Sequence, residues 1–213
     1  MEKTLLTTRP KHDSTVRYLF YWSKEIIKLA EEKGIKVWNL EGERANRKEV
    51  ESIIKKRKPS LIFLNGHGND GAVAGHNDEI LVEAGDNGDI LNSKIVYALS
   101  CKSGKELGPE SIKKGATAYI GYDDDFIFIA DPNKVADPLS DETAGLFLEA
   151  SNQVMKSLLK GHTAKDCHNK SREIFARNAA KVAYGNSKDY LLSTYLLWDA
   201  EHQVCLGNQN ATL

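Results

Sequence analysis

The chain has few cysteines, almost no net charge and no long apolar run. Only three of its 213 residues are cysteine, a sparse and odd count that argues against a disulfide framework and favours a reducing, cytoplasmic setting. No stretch approaches the roughly 20 apolar residues that a membrane span needs, and the N-terminal segment MEKTLLTTRPKHD lacks the apolar core of a secretory signal. The 29 basic and 30 acidic residues nearly cancel, so no basic face indicates a nucleic-acid partner. These absences predict a soluble globular protein that binds neither membrane nor nucleic acid.

The first 130 residues alternate between strand-like and helix-like patterns. Strands are predicted at residues 3–9, 35–40, 60–64, 95–99 and 117–122, and helices at residues 15–33, 46–57 and 105–114. An insertion at residues 70–88 contains two candidate hairpin strands, 72–74 and 79–83. Near-continuous apolar strands separated by helices are typical of crossover units. The pattern therefore predicts an α/β fold, with a mostly parallel sheet covered by helices on both faces.

The last third of the chain is predominantly helical. Helices are predicted at residues 141–159, 163–184 and 188–198, with a final strand at 203–206. A loop with two prolines, residues 130–140, joins this part to the sheet. Since 213 residues suffice for one well-buried core, we expect a single domain over residues 1–213. Its sheet region would be residues 1–130, and its loop and C-terminal helices residues 131–213.

Two of the predicted strands end on reactive residues. The run LIFLNGHG delivers His67, and the run KIVYALSC delivers Cys101. Ligands of parallel sheets bind at the carboxyl ends of the strands, where these two side chains would meet. A thiol beside an imidazole can perform nucleophilic catalysis, in which the histidine takes the thiol proton and later protonates the leaving amine. The predicted helix after Cys101 would favour the thiolate, and the N–H groups of Gly68 and Cys101 are candidate oxyanion donors.

Each of these residues also has an ordinary structural explanation. A cysteine at the end of an apolar strand is often a small buried hydrophobe, and a histidine in a glycine-rich turn is often only a turn residue. Their occurrence together, at equivalent positions after two strands, favours catalysis by Cys101 and His67.

The sequence resembles the caspase-like cysteine peptidases, in which a strand and His-Gly precede a second strand and the cysteine. The segment GATAYIGYDDDF resembles the next strand of gingipains and CHAT-domain proteases, and DETAGLFLEASNQVMKSLLKGHTAKDC resembles their later helices. The resemblance extends from Lys3 to about Gly207. It implies a caspase-like three-layer sandwich and a thiol protease that hydrolyses peptide bonds. Cys101 would form the thioester acyl-enzyme, His67 would be the general base, and the Gly68 amide would lie in the oxyanion hole.

The same resemblance locates the primary substrate pocket at the loop after the first strand and around the nucleophile. The candidate pocket residues are Arg9, Lys11, His12, Asp13, Ser100, Asp123, Asp124 and Asp125. Acids there would favour a basic residue before the scissile bond, whereas an inward Arg9 would favour an acidic one. Some relatives have an acid just before the cysteine, where this chain has Ala-Leu-Ser, and the aspartate triplet also fits a solvated turn.

The residue that orients His67 is not identified by the sequence. Asn65 and Asp70 are near it in the chain, but neither matches a family position. No cofactor or metal is expected, because Asp86 and Asp89 lack the spacing of a calcium loop and Cys167-His168 has no companion pair for zinc.

The expected partners are a polypeptide substrate and a regulatory or activating protein. Two other functions stay open. The chain could be a catalytically silent caspase-like scaffold or interaction module, or a small-molecule hydrolase on the same sheet.

Overall fold

A computed structural model describes residues 3–184 and 190–213, and nine strands lie within these residues. They are β1 (Thr4–Arg9), β2 (Lys36–Glu41), β3 (Leu61–Asn65), β4 (Gly68–Asn69), β5 (Ala72–Ala74), β6 (Ile80–Glu83), β7 (Ile95–Leu99), β8 (Ala118–Tyr122) and β9 (Gln203–Gly207). Six form the central sheet, in the order β2-β1-β3-β7-β8-β9, and β4, β5 and β6 form a small antiparallel sheet. Neighbours in the central sheet are parallel, except that β9 is antiparallel to β8.

Seven α-helices accompany the strands in the described ranges. They are α1 (Ser14–Trp22), α2 (Lys24–Glu32), α3 (Arg47–Arg57), α4 (Leu107–Lys113), α5 (Glu142–Leu159), α6 (Ala164–Ala183) and α7 (Tyr190–His202). No helix in this part of the chain is both long and apolar enough to cross a bilayer.

Both faces of the central sheet are buried because successive strand residues point to opposite sides. Phe63 and Tyr97 stack at 5.3 Å between ring centroids and pack with residues of α1, α2 and α5. Leu64 and Val96, on the opposite face, pack with α3, α4 and the small sheet. This layering explains why the strand sequences are continuously apolar rather than alternating.

The C-terminal helices add a third apolar cluster and return the chain to the sheet. Phe147 of α5, Phe175 of α6 and Leu196 of α7 are fully buried against one another. β9 then pairs with β8 from Gly207↔Ala118 to Gln203↔Tyr122. The helical part therefore contributes a strand to the sheet that carries the candidate site.

The predicted α/β architecture is confirmed, but the first predicted helix is interrupted. The helix expected at residues 15–33 is two helices that meet at Ser23, whose hydroxyl accepts a hydrogen bond from Arg9 Nε at 2.8 Å and donates one to Phe20 O. Burial of the Arg9 guanidinium at this point, 1% exposed, accounts for a break that helical periodicity did not reveal. Residues 188 and 189 of the last predicted helix lie outside the described residues, and that helix extends past residue 198 to His202.

Candidate active site

His67 and Cys101 leave the same edge of the central sheet. β3 and β7 are adjacent and parallel, with Asn65 opposite Leu99. Each reactive residue comes two positions after its paired strand end, and the Gly66 N–H donates to Leu99 O at 3.4 Å. His67 and Cys101 thus lie just beyond the carboxyl ends of two adjacent parallel strands, as the sequence predicted.

Gly68 packs directly against the segment that carries Cys101. A Cβ at Gly68 would lie 2.6 Å from the carbonyl oxygen of Cys101 and 2.9 Å from the Ser100 side chain. Real Cβ atoms do not approach so closely, so this position requires glycine. The absence of a side chain at Gly68 is what lets the backbones of the two segments meet.

The imidazole of His67 is bound by Asp13, which lies in the loop between β1 and α1. His67 Nε2 lies 2.6 Å from Asp13 Oδ2. The other oxygen, Oδ1, accepts the Val16 N–H at 2.9 Å and so caps α1. Burial alone would raise the pKa of the Asp13 carboxyl, but the hydrogen bonds from His67 and Val16 outweigh it and lower that pKa. Asp13 is therefore an ionised carboxylate fixed by a helix cap and directed at the histidine.

The other two residues near His67 in sequence have different partners. Asn65 is fully buried and donates from Nδ2 to Thr8 O at 2.9 Å, which ties β3 to β1. Asp70 forms an ion pair with Lys105 at 3.1 Å. Sequence reasoning placed Asp13 in the substrate pocket, whereas the structure places its carboxylate on His67.

The Cys101 thiol is partly buried and protonated in this state. Its Sγ donates to Phe126 O at 3.8 Å. Burial raises the pKa of the Cys101 thiol, the hydrogen bond to Phe126 opposes this, and the Asp125 carboxylate raises the pKa further. The predicted help from a helix N-terminus is wrong, because α4 begins only at Leu107 and residues 101–106 form turns.

These causes predict that alkylation of Cys101 by iodoacetamide is slow at neutral pH. The rate should rise with pH beyond about 8.5, where an ordinary thiol ionises. Asp125→Asn should increase the rate several-fold at a given pH, because it removes a negative charge that opposes the thiolate. Asp123→Asn is the matched control, since Asp123 contacts His202. Mass spectrometry measures the rates; full reactivity at pH 7, or equal effects of the two variants, would contradict this account.

Helix α7 holds the backbone segment that contacts the thiol. Trp198 Nε1 donates to Asp125 O at 2.9 Å, and Asp199 Oδ1 accepts the Ile127 N–H at 2.9 Å. These two contacts bracket Phe126. Burial raises the pKa of the Asp199 carboxyl well above its usual range. The sequence did not identify Trp198 or Asp199 as part of the site. The signal that could have revealed them is the single acid, Asp199, within the apolar run YLLWDA.

Two of the predicted pocket residues are instead part of the packed interior. The Arg9 guanidinium binds Glu41, Ser23 and Phe20 O and lies 4.1 Å from the centroid of the Phe20 ring. Ser100 is 3% exposed, and its hydroxyl donates to Ser103 Oγ at 2.9 Å. Neither is available to select a substrate, so these two assignments need correction. The guanidinium, with a hydrogen bond from each of its three nitrogens, ties β1 to β2 and to α1.

The aspartate triplet contacts Lys102 and His202 rather than being simply solvated. Asp123 contacts His202 Nδ1 at 2.8 Å, and Lys102 Nζ lies 3.1 Å from Asp125 and 3.9 Å from Asp124. Of the three, Asp125 is the one whose charge acts on the thiol. A basic substrate side chain would have to compete with Lys102 for it.

An apolar cavity lies between the start of α1 and the chain after β8. Its volume is about 480 Å³. It is lined by Ser14, Thr15, Tyr18, Phe126, Ile127, Phe128, Ala130, Pro132 and Val135. Ser14 follows Asp13 in sequence, and Phe126 is the residue whose carbonyl contacts Cys101, so the cavity adjoins the candidate catalytic residues on both sides.

One group of metal-ligating side chains comes together in the described ranges. His12, His67 and Asp78 place one ligand atom each within 4.8 Å of one another. The sequence did not single out this group, whose members are remote in the chain: Asp78 is 66 residues from His12.

Comparison with known proteins identifies the fold class. Neither a family model nor a curated sequence matches the chain. Solved structures do match, and they support a caspase-like fold, without bearing on the likeness to CHAT-domain proteases.

One similar structure is the Arg-specific cysteine proteinase gingipain R (RgpB), with a TM-score of 0.62 and 10% identity. The match covers 100% of this chain and 48% of the gingipain chain. A second is the complex of the Porphyromonas gingivalis RgpB pro- and mature domains, with the same TM-score and identity, covering 99% and 48%. The chain thus spans about half the length of these proteins, and at this identity the likeness shows the fold alone.

Proposed function

We propose that the protein is a cysteine endopeptidase in which Cys101 is the nucleophile, His67 the general base and Asp13 the positioning residue for His67. The observation that carries the proposal is the Asp13–His67 contact of 2.6 Å at the sheet edge from which Cys101 also emerges. A carboxylate that is fixed by capping a helix and also binds the imidazole is more than a turn histidine requires. The gingipain-like fold is consistent with this chemistry.

The contact with Asp13 determines which nitrogen of His67 can act as the base. Nε2 donates its proton to the carboxylate, so Nδ1 carries the free lone pair. Nδ1 would accept the thiol proton as Sγ attacks the peptide carbonyl, and the imidazolium would then protonate the leaving amine. The carboxylate of Asp13 would stabilise that imidazolium. Water would hydrolyse the thioester in a second step.

The thiol must leave Phe126 O to react. In the free protein Sγ donates to that carbonyl at 3.8 Å, and burial keeps the thiol neutral. Binding of a peptide along the segment after β8 would displace this contact and direct the thiol at Nδ1, a tightening that is common when substrate binds. The Gly68 and Cys101 amides stay our candidates for the oxyanion hole.

The cavity beside the site predicts an apolar side chain near the scissile bond. A peptide library should therefore show a preference for a large apolar residue at one subsite, since burying such a side chain favours binding. Val135→Trp would fill the cavity and lower kcat/KM for those peptides by about tenfold. Leu139→Trp, at an exposed position outside this cavity, is the control.

The same library tests the alternative preference for a basic residue. If Arg or Lys is selected instead, Asp125 is the acid of the triplet whose charge acts on the thiol, and Asp125→Asn should remove that selectivity. A library in which no peptide is cleaved would overturn the peptidase proposal.

A catalytically silent scaffold is the second candidate function. The thiol's hydrogen bond to Phe126 O and its raised pKa favour it, because both describe an unreactive cysteine. A protein that cleaves no peptide and resists alkylation of Cys101 even at high pH would belong to this class.

A regulatory protein segment is part of the peptidase proposal. One similar structure is a complex of pro- and mature domains, and in this chain a segment bound over the thiol would block the site. We also propose that residues 1–213 act as one domain, because β9 from the helical part joins the central sheet. We further propose a reducing, cytoplasmic setting, because the three cysteines are free.

A further inference from the structure

The base of the candidate site belongs to a second group of side chains. His12 lies one residue before Asp13, and Asp78 lies in the turn between β5 and β6. His12 Nε2 is 3.3 Å from Asp78 Oδ1 and 3.5 Å from Asp13 Oδ2. His12, His67 and Asp78 each offer one ligand atom, and these three atoms all lie within 4.8 Å of one another.

The spacing of these atoms suits a tetrahedral zinc ion. Zinc lies about 2.0–2.2 Å from nitrogen and oxygen ligands, so tetrahedral ligands are about 3.3 Å apart. The His12–Asp78 contact at 3.3 Å has this length already. The remaining ligand atoms lie within 4.8 Å of one another and would close to about 3.3 Å on binding. The Asp78 side chain is 66% exposed and that of His67 38% exposed, so both have room to adjust. Asp13 Oδ2 or water would complete the coordination.

The electrostatics of the group also favour a divalent cation. Asp13 and Asp78 bring two negative charges to two imidazoles, and the nearby Lys11 directs its ammonium at the Phe20 ring, 5.3 Å from the centroid. The His12 ring is 12% exposed, and its Nδ1 has no hydrogen-bond partner among residues 3–184 and 190–213. Within the described residues, the polar contacts of the His12 ring are therefore those of Nε2 with the carboxylates of Asp13 and Asp78. Asp13 Oδ2 contacts both the His12 and the His67 imidazoles.

We propose that His12, His67 and Asp78 bind one Zn²⁺ ion and that this ion inhibits the peptidase. Binding requires only these ligands, whereas the inhibitory role rests on the function proposed above. Zinc on His67 Nε2 would displace the proton that Nε2 donates to Asp13. The neutral ring then holds its one proton on Nδ1. Nδ1 can no longer accept the thiol proton, and the dyad is switched off.

Binding is tested on Cys101→Ala, so that neither the thiol nor catalysis enters the measurement. Calorimetry with ZnCl₂ should give one site per chain with a Kd close to that of the unaltered protein, and Co²⁺ should give the absorption bands of a tetrahedral ion. Asp78→Asn should raise the Zn²⁺ Kd by more than about tenfold, the smallest loss typical of outer-shell partners. Asp89→Asn, another exposed acid, is the matched control.

Three outcomes would overturn the site. They are the absence of binding, an equal Kd in Asp78→Asn and its control, and binding that disappears in Cys101→Ala. The last would mean that the ion lies between the thiol and His67 rather than on His12 and Asp78.

Inhibition is tested separately on the protein with Cys101 intact. In buffer with a chelator, Asp78→Asn should hydrolyse peptide at the unaltered rate, and it should need more than about tenfold more Zn²⁺ for half inhibition. If zinc binds but hydrolysis is unaffected, or if no hydrolysis occurs at all, the inhibitory role is wrong while the binding result stands.

Discussion

Cys101→Ala is expected to lower peptide hydrolysis by about 10⁴-fold or more, since removal of a nucleophile from a catalytic unit has effects of this size. Labelling by a covalent thiol inhibitor at this position should disappear with it. The fold should survive, because Sγ makes a single long hydrogen bond, to Phe126 O at 3.8 Å. We expect the Tm to change by less than about 4 °C, equivalent to roughly 1 kcal/mol for a chain of this length.

Cys205→Ala provides the control for this experiment. Cys205 is a half-buried free thiol in β9, opposite Ile120, and makes no contact with His67 in the described structure. It should retain full hydrolysis and full labelling at Cys101. Hydrolysis that persists in Cys101→Ala would exclude the thiol mechanism, and a protein that loses its thermal transition would require Cys101→Ser instead.

Asp13→Asn is expected to reduce kcat by about 10²-fold or more with little change in KM. The equivalent exchange in a serine-protease triad costs about 10⁴-fold, because an amide no longer fixes the imidazole tautomer. Here the change removes the charge that lies 2.6 Å from His67 Nε2. An amide NH₂ facing Nε2 would force the ring proton onto Nδ1, the nitrogen that must accept the thiol proton.

The choice of asparagine separates this effect from stability. Asp13 also caps α1 through Val16 N, and asparagine caps helices as well as aspartate does. Asp13→Ala would lose the cap in addition, at about 1 kcal/mol of unfolding free energy. Equal kcat in Asp13→Asn and the unaltered protein would remove Asp13 from the mechanism, whereas a rise in KM alone would return it to the substrate pocket.

The sheet and the positions of the two reactive residues could be predicted because their signals are local. β7 was predicted at residues 95–99 and lies there, and β3 is displaced by one residue. Apolar runs bounded by glycine, proline and polar residues report strands without knowledge of the rest of the chain. Parallel pairing of these strands then requires His67 and Cys101 to leave the sheet at one edge.

The break in the first helix could not be read in this way. Residues 15–33 keep helical periodicity, yet the helix is interrupted at Ser23 because Arg9 is buried there. The contacts of the Arg9 guanidinium depend on packing between β1, α1 and Glu41, which are brought together only in the folded chain. Residue patterns within a single helix do not record such a contact.

The sequence by itself determined the fold class and presented a histidine and a cysteine at strand ends, because hydrophobic period and turn residues act over a few positions. Only the tertiary structure decided that Asp13 contacts His67 across 54 residues of chain, that Lys102 and His202 contact the aspartate triplet, and that α7 secures the segment beside the thiol. It also decided the state of Cys101, since the pKa of a thiol follows its burial and neighbouring charges. These properties depend on distances between segments remote in sequence, which are fixed only when the whole chain packs.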